Sequence, residues 1–77
     1  MNKSRRTRLN DAIIYINRAM ALVQEVAEEE QDSFDNLPEG IQESDRGTDM
    51  EENIGELEQV TEELETQVEV IQEIIER

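Results

Sequence analysis

Carboxylates are the only abundant reactive groups in this chain: 21 Asp and Glu stand against seven Lys and Arg, with no histidine and no cysteine. Carboxylate general acid catalysis needs a pKa raised by burial to keep a proton in place near neutrality. Here the acids repeat with the polar face of a helix, a solvated setting that lacks it. No thiol or imidazole nucleophile and no glycine-rich phosphate loop is present. These features predict a non-enzymatic protein with no catalytic residue and no cofactor.

Three charged groupings remain. Asp32, Asp35, Glu39, Glu43 and Asp45 crowd one short stretch. Calcium takes six to eight oxygen ligands from a loop of defined spacing; this run lacks that spacing and Pro38 interrupts it, so it reads as a solvated acidic loop with no metal site. Lys3, Arg5, Arg6 and Arg8 form a basic arm that could grip phosphates, but without an aromatic for base stacking. Pairing with acidic helix ends outweighs nucleic-acid binding. The third grouping is the row Glu58, Glu62, Glu65 and Glu69, which a helix would present as one acidic face suited to a basic protein, in the extreme by imitating DNA phosphates.

The charge distribution sharpens that reading. The formal charge is -14, yet residues 1–18 balance to +4 and residues 19–77 to -18. A field of that sign repels nucleic acid and anionic membrane over most of the surface and attracts basic proteins.

Two helices must position these groups. Leu9, Ile13, Ile16, Met20, Val23 and Ala27 follow a 4-3-4-3-4 rhythm that keeps one stripe toward a neighbour, predicting a first helix over about 4–31. With Ile13 at heptad position a, the e positions are amides (Asn10, Asn17, Gln24) and the f positions are charged (Asp11, Arg18, Glu25). Met50, Ile54, Leu57, Thr61, Leu64, Val68, Ile71 and Ile75 repeat the rhythm and predict a second helix over about 48–76. Thr48-Asp49-Met50-Glu51 has the form of a capping box at its start, and Gly47 reads as a flexible joint ahead of it. Gly55 weakens this helix and suggests a close approach.

The intervening residues 32–47 read as a link with a short helical turn opened by Pro38 and a hydrophobic plug of Phe34, Leu37 and Ile41. The expected fold is therefore all-α: one domain over 1–77, an antiparallel coiled-coil-like hairpin. Its register sets Leu9 against Ile75, Ile13 against Ile71, Ile16 against Val68 and Met20 against Leu64. It also brings Arg5, Arg6 and Arg8 beside Glu73 and Glu76.

Tyr15 and Leu22 widen the apolar arc on one side, Ile14 and Ala21 add to the other, and Val60 and Ile74 flank the second stripe. One helix cannot cover all of this. A chain of 77 residues without disulfides or metals needs some other staple. The expectation is a homodimer, a four-helix bundle with Ile14, Tyr15, Leu22 and Ile74 in its seam. No targeting segment and no run of about 20 apolar residues is present, so a cytoplasmic setting is expected.

Residues 29–47, with Phe34-Asp35-Asn36-Leu37-Pro38-Glu39 followed by Gln42-Glu43-Ser44-Asp45-Arg46-Gly47, resemble the middle of short acidic helical proteins of bacterial phages and prophages. The resemblance implies a heptad-patterned helix on each side, a phage origin and the cytoplasm of a bacterial host, and carries no activity. Small acidic phage proteins commonly inhibit host or defence proteins or assist assembly. Three functions stay open: an inhibitor docking its acidic face on a basic host or defence protein, a homo-oligomeric scaffold or assembly factor, and a small RNA-binding regulator using the basic arm.

Overall fold

A computed structural model describes residues 1–77 as three helices in sequence: α1 (Lys3–Asp35), a single turn α2 (Glu39–Gln42) and α3 (Asp45–Glu76). α1 and α3 pack against each other along a rod of 58 × 15 × 12 Å. No strand is present, and no helix is long and apolar enough to cross a membrane.

α1 begins one residue before the expected start because Asn2 caps it, its side-chain oxygen accepting from the Arg5 N–H at 2.8 Å. It ends a full turn later than expected, at Asp35 rather than Gln31. Two features carry it on. Phe34 occupies the next a position after Ala27, so the apolar stripe continues, and the Gln31 amide donates to the Asp35 carboxylate at 2.9 Å across one turn. Pro38 then forces extended geometry and stops the helix.

The connection is correspondingly shorter. Pro38 precedes α2 as its cap, with its carbonyl accepting from Ile41 and Gln42 at 2.9 and 3.0 Å. The Gln42 side chain returns to α1, donating to the Phe34 carbonyl at 2.9 Å. This bond ties the closed end together.

The expected start of α3 at Thr48 is corrected. α3 begins at Asp45 behind Ser44, and the Thr48 N–H already donates to the Ser44 carbonyl at 3.0 Å. Thr48 is exposed within the helix, so Thr48-Asp49-Met50-Glu51 forms no capping box. Gly47 is likewise no joint. It is a buried helical residue in the same heptad phase as Ile54, Thr61 and Val68. A Cβ there would overlap the Gln42 carbonyl group, whose carbon would lie 2.5 Å away. Glycine is required because the backbone of the connection crosses α3 at this point. Gly55, where a close approach was expected, faces open space.

The core follows the heptads with one bias. Ile13, Met20 and Ala27 on α1, and Ile54, Thr61 and Val68 on α3, are buried at a positions. Among the d positions Met50, near the closed end, is also buried, whereas Ile16, Leu64 and Ile71 along the rod are only partly buried. Ile13, Met20 and Val68 form one cluster with Ile16, Leu64, Ile71 and Ile75 around it, in keeping with the antiparallel register expected from the stripes. A bond from the Asn53 amide to Glu30 at 3.5 Å continues that register toward the closed end. Deeper burial at a than at d shows that the contact is rotated, closing toward the e side and opening toward the g side of both helices.

Candidate functional site

The rotation gives the rod two unlike flanks. On the e side, amides and carboxylates approach one another over two small a residues, Ala27 and Thr61. The result is an open groove of about 520 Å³. Gln24, Glu28, Gln31 and Asp32 of α1 form one wall; Glu58, Glu62 and Glu65 of α3 form the other. A larger side chain at 27 or 61 would fill the trough. The Thr61 hydroxyl, buried at its floor, donates to the Leu57 carbonyl at 3.1 Å, which satisfies it within its own helix.

Three of the four residues assigned to the acidic face therefore line one concave surface. Glu69 lies one heptad beyond Glu62, exposed, outside the groove. Glu28 and Asp32 were missed as members. Glu28 follows Gln24 by one helical turn and Asp32 adjoins Gln31. The signal that could have found them was the pair of small a residues, Ala27 and Thr61, set about one turn apart in adjacent layers of the antiparallel register. No three carboxylates converge as a metal site requires.

On the g side the surface is apolar. Tyr15 is 65% exposed, Leu22 63%, Val26 51% and Val60 40%, with Ala12, Ala19 and half-buried Ile74 between them. Val70 joins this flank at a c position. Of the residues expected in the seam, Tyr15, Leu22 and Ile74 belong here. Ile14, 48% exposed, sits on the other flank behind the amide row. No single flat partner covers both sets.

At the closed end Phe34 and Leu37 are half-buried, whereas Ile41 is 40% exposed and plugs nothing tightly. At the open end the register brings the basic arm level with the end of α3, yet no side-chain hydrogen bond joins Arg5, Arg6 or Arg8 to Glu73 or Glu76. Arg5 and Arg8 are exposed around a shallow hollow with Met1 and Leu9; Arg6 is half-buried, and its Nε has no hydrogen-bond partner. The Arg18 guanidinium lies 6.0 Å from the Tyr15 ring centre, covering part of the ring.

Charge is divided along the rod as sharply as polarity is divided around it. The open half, residues 1–20 and 64–77, holds six bases and five acids, a balance of +1. The closed half, residues 21–63, holds sixteen acids against Arg46 alone, a balance of -15. The groove lies mostly in this second half.

Comparison of the chain with protein families, curated proteins and solved structures finds no match.

Proposed function

We propose that the chain is a non-enzymatic binding module whose acidic half docks on a basic, nucleic-acid-binding protein and blocks the surface it covers. The observation that carries this reading is linear charge density. Half of the 58 Å rod holds a net charge of -15, about one negative charge per 2 Å. Duplex DNA carries one per ~1.7 Å of axis. A groove or channel built to hold phosphates would meet a similar field on this rod, and Glu58, Glu62 and Glu65 with Glu28 and Asp32 would give the contact its fixed geometry. A phage origin, in keeping with the resemblance of residues 29–47, would make a host or defence enzyme acting on nucleic acid the target class.

The test is capture of partners from bacterial lysate on wild-type protein and on a variant with Glu58, Glu62 and Glu65 changed to lysine, read by mass spectrometry. Wild-type protein is expected to retain basic nucleic-acid-binding proteins, to release them to added duplex DNA, and to hold them less tightly as ionic strength rises through the physiological value, where the Debye length is about 8 Å. The reversed variant is expected to retain none of them at unchanged helix content. Equal capture by both proteins, or capture insensitive to duplex DNA, would overturn the proposal.

A structural homo-oligomer is the second reading. The exposed apolar flank of Tyr15, Leu22, Val26 and Val60 favours it. The two readings use opposite flanks and are compatible.

A further inference from the structure

The apolar flank is patterned along its length as well as around it. Its centre is Ala19, midway between Ala12 and Val26, small enough to let another backbone come close. Continuing the same c positions of α1 outward, Arg8 lies eleven residues before Ala19 and Glu29 ten residues after it. At 1.5 Å per residue both stand about 15–17 Å from the centre. Arg5, at a g position, extends the basic end of the flank. The antiparallel register sets Glu56, a c residue of α3, almost level with Glu29. Along α1 the flank thus reads basic, apolar, acidic from open end to closed end, with its apolar section in the middle; on α3 the exposed c residue Glu63 is the one charge within that section.

From this self-complementary order we infer that the flank is the contact for a second copy of the chain, laid antiparallel to the first about a two-fold axis near Ala19. The axis lays each apolar section on its mate. It also carries Arg8 of each copy to Glu29 and Glu56 of the partner copy, and Arg5 toward the partner's closed end. A side-by-side dimer pointing the same way would set Arg5 and Arg8 against their own counterparts and bring two halves of charge -15 together. Like charges across an interface are strongly disfavoured, so electrostatics selects the antiparallel form. The contact is isologous: each copy uses the same patch, and assembly closes at two. Gln67, a g residue of α3 close to the axis, can pair its amide with the partner's Gln67, since an amide both donates and accepts. The acidic grooves, on the e side, face outward in this dimer. The inference is independent of what the grooves bind.

The chain has no cysteine, so single-cysteine variants report geometry without background. Under mild oxidation Ala19→Cys alone is expected to crosslink to a dimer of about twice 9.0 kDa. Arg8→Cys and Glu29→Cys are expected to crosslink when mixed and at least roughly tenfold less when oxidised separately. A second measurement is sedimentation of an Arg5→Glu, Arg8→Glu variant. It is expected to be monomeric alone and to recover the dimer when mixed with a Glu29→Arg, Glu56→Arg variant, which also covers the case in which either variant folds poorly by itself. Self-crosslinking of Arg8→Cys at the rate of the mixture would overturn the antiparallel arrangement. A wild-type chain sedimenting at 9.0 kDa under the crosslinking conditions would overturn the dimer.

Discussion

Two glycines show how much a single residue depends on its setting here. Gly47 and Gly55 both lie inside α3, eight residues apart, and alanine is the better helix former at either place by up to about 1 kcal/mol. Gly55→Ala puts a methyl group into open space and is expected to raise the melting temperature. Gly47→Ala drives a methyl group into the backbone of Gln42 and is expected to lower it markedly, with loss of protection in the closed end by hydrogen exchange. Matching responses at the two sites would contradict the close crossing at Gly47. The heptad count already singles out Gly47, since it precedes Ile54, Thr61 and Val68 by whole heptads and Phe34 follows Ala27 by one. Glycine and proline nearby read first as loop signals. That local reading hides the longer-range one, because a crossing strand of backbone leaves no mark in the local sequence.

At the scale of the helix, periodicity was legible and the ends were not. The apolar stripes predict two long helices and their register because each stripe can face only the other in so short a chain. The ends are set by competition among several acceptable caps. Thr48-Asp49-Met50-Glu51 satisfies the capping pattern as well as Ser44 does, but starting at Ser44 adds the turn that places Gly47 under the connection. Thr48→Ala is therefore expected to leave stability unchanged or raise it by about 0.5 kcal/mol, as replacement inside an exposed helix does. A loss of ~1 kcal/mol, typical of a deleted cap, would show that the helix starts at Thr48 after all. The acidic face was legible as a row on α3. The groove was not, because it depends on how far the pair is rotated. That rotation is a property of two helices in contact and not of either alone.

For the whole molecule the decisive quantity is how little it hides. Its radius of gyration is 17.4 Å, against about 11 Å for a compact chain of this length. Its accessible surface is 5813 Å², against about 4,900 Å² for a folded monomer of its mass. Eight residues of 77 are buried, and no large side chain is fully enclosed. One layer of contact between two helices, without a disulfide, is thin support for so much ordered backbone. The exposed flank of Tyr15, Leu22, Val26 and Val60 is the apolar surface left over, and under the proposed dimer its burial against a second copy would supply the missing stability. Thermal unfolding followed by circular dichroism across a hundredfold range of protein concentration tests this most directly. Coupled folding and association predicts a midpoint that climbs with concentration and a Leu22→Glu variant that melts low at every concentration. A single high midpoint, the same at all concentrations and in that variant, would contradict it.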